Sequence, residues 1–175
     1  VDSKNRVWIS TWSGGINIFH QDENKMYSNN SPYMDDYFKT IAKDHKNLNK
    51  NHGNENETRY AGLKSARMVY GFKEDKQGNI WIATVEEGLI CFNPNTGRIK
   101  KLQNNPNDPS SICDNNLLSI FIDRSGLIWV GSLSSGVSVF NPYTYKFGHY
   151  KANTNDPNSI SNSQVWALHK GRKTG

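Results

Sequence analysis

Three kinds of side chain in this 175-residue sequence have the chemistry of an active site. Acidic residues recur: Asp2, Asp75 and Asp123 each precede a tryptophan by six residues (Trp8, Trp81, Trp129), and Glu86 and Glu87 stand together. Paired carboxylates can hold a divalent cation or share general acid–base work. His20, His45, His52, His149 and His169, with Cys91 and Cys113, offer metal ligands or a nucleophile and its base. The spacings argue against each use. No H-E-x-x-H, G-x-S-x-G, P-loop or G-x-G-x-x-G occurs, and the terminal "GRKTG" lacks the Walker spacing. Adjacent glutamates at one strand end point apart rather than flanking a bond. Asp75 and Asp123 are followed three residues later by Gly78 and Gly126, which marks turns whose aspartates bond their own backbone. No catalytic residue, metal site or cofactor is expected.

What positions these residues is a repeat. "GNIWIATVEEGLICFNP" (78–94) returns as "GLIWVGSLSSGVSVFNP" (126–142), and "NRVWISTWSGGINIFHQ" near the start is a weaker copy. Counting from each tryptophan, Gly15, Gly88 and Gly136 follow seven residues later, and Phe19, Phe92 and Phe140 eleven later. Trp81 and Trp129 lie 48 residues apart, an offset that also superposes "NPNDPSSI" on "NTNDPNSI". Trp8 and Trp81 lie 73 apart, so the first copy carries 25 extra residues between Met26 and Val69.

One unit reads as four short strands, "LLSIFI", "LIWVGSL", "GVSVFN" and "YKFGHYK", joined by tight turns. The middle strands are nearly continuous apolar runs, so both faces of the sheet must be covered. A four-stranded sheet covers both faces only by stacking on its neighbours, as β-propeller blades do. The expected class is all-β: a partial array of propeller blades, cut from a longer one, with one short helical insertion. The end of one blade spans 1–28, the insertion 29–66, complete blades 67–116 and 117–164, and the first strand of another 165–175. Within the insertion, Ser31 as N-cap, Pro32 and the acidic Asp35 and Asp36 predict a helix over 32–46. The asparagine-rich "NLNKNHGNENET" that follows predicts loop.

Composition narrows the function classes. Lys and Arg number 21 against 16 Asp and Glu, a formal charge of +5 without any basic block, which fits a solvated surface rather than a nucleic-acid interface. Aromatic residues make up 11%, too many for a disordered chain. Mean hydropathy is −0.77 and no apolar run approaches the ~18 residues of a membrane span. The opening "VDSKNRVW" does not resemble a signal peptide. Cys91 falls in an apolar strand pattern and reads as a small buried thiol, Cys113 falls in a loop, and the pair does not establish a disulfide.

The motif D-x-x-G-x-[IV]-W-[IV]-x-[ST]-x-x-x-G, with "FNP" and "NDPNSIS" after it, resembles the two-component regulator propeller repeat. That repeat belongs to the sensor regions of hybrid two-component systems, especially of gut Bacteroidetes. The resemblance covers nearly the whole chain apart from the insertion. Its residues are Asp75, Gly78, Trp81, Gly88 and Phe92 in one copy, and Asp123, Gly126, Trp129, Gly136 and Phe140 in the next. The first copy departs, with Asn5 at the turn glycine and "FHQD" for "FNPN". WD, Asp-box and Kelch repeats fit less well.

The resemblance implies a non-enzymatic segment of a periplasmic ectodomain, anchored in the inner membrane and homodimeric in its parent histidine kinase. It implies oligosaccharide ligands and a phosphorelay to polysaccharide-utilisation genes. The remaining blades are the implied partners, and nucleic acid is not one. The alternatives are a propeller enzyme, either a lyase or a glycoside-cleaving one, and a non-catalytic scaffold.

Antiparallel connectivity puts the turns between second and third strands on one face with the inter-blade loops. Those turns vary as Trp12-Ser13, Glu86-Glu87 and Ser134-Ser135, and variable loops on a rigid frame suit recognition. Trp12, where the other copies have Val85 and Leu133, either stacks on a sugar ring or packs on the insertion. Arg67, Asn116, Gln164 and Trp166 fall near the start of the innermost strand, beside the expected central channel. They either hydrogen-bond a ligand or satisfy backbone groups and water. Together with Glu86 they are the candidate ligand-binding residues.

Overall fold

The computed structural model describes residues 1–12, 14–28, 63, 66 and 68–171. Eleven strands form three antiparallel sheets among them. The first contains β1 (Arg6–Thr11), β2 (Gly15–His20) and β3 (Lys25–Ser28). The second contains β4 (Val69–Glu74), β5 (Ile80–Thr84), β6 (Leu89–Phe92) and β7 (Ile99–Leu102). The third contains β8 (Leu117–Ile122), β9 (Ile128–Ser132), β10 (Val137–Asn141) and β11 (Lys146–Tyr150). Within each sheet, sequential strands are neighbours, the up-and-down order of a propeller blade.

The sheets stack because each middle strand carries two apolar faces. All five residues of β5 are buried. Ile80 and Ile82 join Ile16, Ile18 and Phe92 in the core between first and second sheets. Trp81 and Ala83, one residue out of phase, join Ile128, Val130 and Phe140 in the core between second and third. The same contact closes both interfaces: Trp8 lies 6.0 Å from Phe92 and Trp81 lies 5.5 Å from Phe140 between ring centroids. Phe92 and Phe140 are completely buried, each contributing on the order of 2–3 kcal/mol of burial. β8 packs against β4 and β5, and β4 against β1, so the first strands lie together on one side of the stack.

The turn between first and second strands is built by its aspartate. Asp75 Oδ1 accepts the amides of Gln77 and Asn79 at 2.9 Å each, and Asp123 Oδ1 accepts those of Ser125 (2.9 Å) and Leu127 (3.1 Å). The turn ends in the left-handed region, at φ 78° for Gly78 and 90° for Gly126. Asn5, which replaces this glycine in the first copy, takes φ 57°, a conformation asparagine tolerates better than other side chains. The substitution read as a departure from the repeat therefore keeps its backbone.

The helix over 32–46 and most of the insertion lie outside the described residues. Of the strand expected over 165–175, residues 165–171 join no ladder. The Val165 amide donates to Ser132 O at 2.9 Å, and no partner strand runs alongside among the described residues.

Candidate functional site

The face carrying the turns between second and third strands is assembled by hydrogen bonds from the inter-blade loops. The Val85 amide donates to Met68 O at 3.0 Å, and one repeat later the Leu133 amide donates to Asn116 O at 2.9 Å. Glu86, held at φ 75°, donates its amide to Asn116 Oδ1 at 3.1 Å. Asn116 donates its own amide (2.9 Å) and its Nδ2 (3.2 Å) to Asp114 Oδ1. The other oxygen, Asp114 Oδ2, accepts the hydroxyls of Ser134 (3.0 Å) and Ser135 (3.2 Å). Asp114 thus ties together two successive turns, and sequence reading had not singled it out. Asn162 repeats part of its role, with Oδ1 accepting the Gln164 amide at 2.8 Å.

The structure brings Glu86 and Asn116 into direct contact and spends the Asn116 side chain on the scaffold. Gln164 is exposed, with its amide engaged by Asn162. Trp12 is 79% exposed and Trp166 is 61% exposed, both large apolar groups presented to solvent. Arg67 and most of the insertion lie outside the described residues, so the alternative of Trp12 packing on the insertion does too. Glu87 ion-pairs with Lys101, while Glu86 projects from a turn pinned at its amide. The two carboxylates therefore have separate tasks.

One further residue belongs to this region. The β4–β5 register shifts between Val69 and Gly71, and the β8–β9 register shifts between Leu117 and Ser119. Tyr70 and Leu118 are the extra residues of these bulges, and the 48-residue offset puts Trp166 at the same position. Bulges re-aim side chains, and Tyr70 is 39% exposed here. A bulge leaves no mark in a pattern of apolar residues, which is why Tyr70 was missed.

An open cavity of about 430 Å³ lies elsewhere, lined by Phe121, Asp123, Arg124, Ser125, Trp129, Leu168 and Lys170. It sits over Trp129, on the face of the third sheet corresponding to the Trp8 and Trp81 faces that the next sheet covers. Trp129 instead stacks on Tyr150 of its own sheet at 5.9 Å. The cavity is therefore an uncovered sheet face rather than a ligand pocket. Among the described residues, no group of three or more His, Cys, Asp or Glu could hold a metal ion. No described helix is long and apolar enough to cross a membrane.

Residues 62–86, the opening of the second sheet, match the family model of the two component regulator propeller. No curated protein matches the sequence. Among solved structures, the extracellular domain of the B. thetaiotaomicron hybrid two component system BT3049 is similar, with TM-score 0.64 and 22% identity over 94% of this chain and 19% of that one. The extracellular domain of the hybrid two component system BT4673 from the same organism gives TM-score 0.60 and 19% identity over 95% and 18%. Virginiamycin B lyase from Staphylococcus aureus gives TM-score 0.51 and 14% identity over 88% and 40%. At these identities the likeness shows the fold, and this chain spans about a fifth of the length of the two extracellular domains. The chain is an array of β-propeller blades in which residues 62–86 match the two component regulator propeller, and it has the fold seen in the extracellular domains of the B. thetaiotaomicron two component systems.

Proposed function

We propose that this chain is part of the ligand-sensing propeller of a hybrid two-component sensor, facing the periplasm, and that it binds oligosaccharides without altering them. The observation that carries the reading is Trp12, 79% exposed on the turn face that also bears Glu86 and the Asp114 network. An exposed indole beside polar groups is a stacking platform for the apolar face of a sugar ring. The surrounding turns are pinned by hydrogen bonds, and such preorganisation limits the entropy lost on binding. In this reading Trp166 and Tyr70 extend the platform toward the first strands. Binding would shift the geometry of paired ectodomains in the parent kinase, which passes the signal to polysaccharide-utilisation genes.

An enzymatic reading needs two carboxylates, or a histidine-centred pair, facing one reacting bond. Glu87 is committed to Lys101 and Glu86 stands apart on its pinned turn, so the binding reading is preferred. The test is titration of the full ectodomain with neutral oligosaccharides from plant and host polysaccharide digests, followed by tryptophan fluorescence and calorimetry. Binding that is lost in Trp12→Ala, with recovered ligand uncleaved, supports the reading. Affinity unchanged both by Trp12→Ala and by deletion of residues 31–60 shows that this face is the wrong one.

A further inference from the structure

Beside the Asp114 network, one cluster of reactive side chains has no counterpart in the neighbouring repeat. Cys113 lies in the loop leading from the second sheet to the third, Ser138 on β10 and His149 on β11. Ser138 Oγ lies 2.9 Å from Cys113 Sγ and 3.1 Å from His149 Nδ1, and it accepts the Cys113 amide at 3.1 Å. His149 Nε2 lies 3.2 Å from the carbonyl oxygen of Pro109 in the same loop. The Phe147 ring lies parallel to the imidazole, 6.5 Å away. At the 48-residue offset the second copy has Ser65, Ile90 and Lys101 in these places. Ile90 is fully buried, and so is Ser138, so the third sheet puts a hydroxyl where the second buries an alkyl group. A buried hydroxyl is costly unless its hydrogen bonds are made.

The bonds are made in either of two proton arrangements. A carbonyl oxygen only accepts, so His149 Nε2 carries a hydrogen and donates to Pro109 O. With neutral imidazole, Nδ1 accepts from the Ser138 hydroxyl, whose oxygen accepts from the Cys113 thiol and amide. With the proton moved, imidazolium Nδ1–H donates to Ser138 Oγ, and the Ser138 hydroxyl donates to a Cys113 thiolate. Ser138 Oγ makes one donated and two accepted bonds in both states, with no heavy atom displaced.

We propose that Cys113 is a nucleophilic thiol, deprotonated through Ser138 by His149, and that it is a modification site for small hydroperoxides. The thiol proton passes to Ser138 Oγ as the Ser138 proton passes to His149 Nδ1. The thiolate attacks one peroxide oxygen; an S–O bond forms and the O–O bond breaks. Sulfur is oxidised by two electrons to a sulfenic acid, and the peroxide is reduced. Its leaving oxygen takes the imidazolium proton, which returns His149 to the neutral form and releases water or an alcohol.

Nearby acidic groups are committed elsewhere. Asp108 accepts the amide and hydroxyl of Ser110, and Asp114 is held by Asn116, Ser134 and Ser135. Among the described residues, no charged side chain hydrogen-bonds or ion-pairs with Cys113, Ser138 or His149. Cys91 serves as an internal control. Burial, aided by the charge of Asp75, pushes its thiol up to about 12.

The experiment treats the full chain with iodoacetamide between about pH 6 and 9 and maps both cysteines by peptide mass spectrometry, with hydrogen peroxide plus dimedone in parallel. Cys113 is expected to be alkylated in preference to Cys91. Ser138→Ala and His149→Gln are expected to slow Cys113 alkylation by about tenfold at pH 7. Dimedone should label Cys113 in the wild type after peroxide. Equal rates and pH profiles in wild type and variants would overturn the relay. Rapid alkylation without a dimedone adduct would overturn the hydroperoxide assignment. Should Ser138→Ala fail to fold, His149→Gln, on the exposed side of the cluster, decides the matter by itself.

Discussion

The indole of Trp81 donates to the carboxylate of Asp75 at 2.7 Å, across the turn that joins β4 to β5. Trp8 does the same to Asp2 at 2.7 Å, and Trp129 to Asp123 at 3.0 Å. One aspartate thus binds the turn amides with one oxygen and fixes a tryptophan ring with the other. In two of the three sheets that ring is the surface on which the next sheet packs, against Phe92 and Phe140. The six-residue spacing of the repeat is the length of this clip.

Removing a clip should therefore cost more than one turn. Asp75→Ala leaves the Gln77 and Asn79 amides, the Asn79 side chain and the Trp81 indole without their acceptor. A loss of about 2–3 kcal/mol is expected from urea unfolding. A loss below about 0.5 kcal/mol would show that water replaces the carboxylate without penalty.

The first clip gives a pH dependence of definite sign. Burial alone raises the Asp2 carboxyl, but the Arg6 side chain, the Trp8 indole, and the Arg6 amide and charge together hold it below its ordinary value. The folded state then binds this proton less tightly than the unfolded chain. Its stabilisation is complete above the unfolded carboxylate value, about 3.9, and is lost as pH falls through the lower folded one. Asp123 is shifted in the same direction, with burial again opposed and outweighed by Ser125 and Trp129. Urea midpoints should be flat near neutrality and fall below about pH 4, and Asp2→Asn should weaken that fall. A midpoint indifferent to acid would refute this account.

Two glycines with similar backbone angles should respond differently to substitution. A Cβ on Gly136 would stand 2.1 Å from Tyr150 O at φ +84°, so Gly136→Ala is expected to cost about 3 kcal/mol or more. At Gly126, φ +90°, the nearest atom is Tyr143 Oη at 3.8 Å, and Asn5 already occupies the equivalent place in the first copy. Gly126→Asn should cost no more than about 1 kcal/mol. Equal thermal midpoints for the two variants would mean that crowding does not matter at Gly136.

The uncovered face around Trp129 predicts association. Its counterparts Trp8 and Trp81 are packed under the following sheet, whereas Trp129 borders an open cavity of about 430 Å³. Sedimentation velocity of this chain should show concentration-dependent self-association, as exposed apolar sheet faces do. A single monomeric species across the concentration range would contradict it.

The repeat, the strands and the aspartate turns were legible in the sequence because each is local. Alternating burial has a period of two, a turn closes over four residues, and the Asp–Trp clip spans six, so each leaves its mark within a short window. The spacing of the clip was visible, but its partner atoms were not. Asn5 looked like a lapse in the motif and proves to hold the same left-handed backbone. Tyr145 is the reverse case. It sits at φ 55°, where Asn24 and Gly97 occupy equivalent places, and no propensity rule puts a tyrosine there. Its ring meets Phe140 at 5.9 Å, and the Lys100 ammonium lies 3.6 Å from its centroid, contacts that offset the backbone strain.

Sequence alone determined that this protein is a stack of up-and-down antiparallel sheets. Amphipathic period, turn chemistry and a 48-residue echo all act through neighbours along the chain, and they agree. Tertiary structure alone decided which side chains meet. Asp114 reaches the turn of the next sheet, and Cys113, Ser138 and His149 converge from a loop and two strands, the first pair 25 positions apart and the second 11.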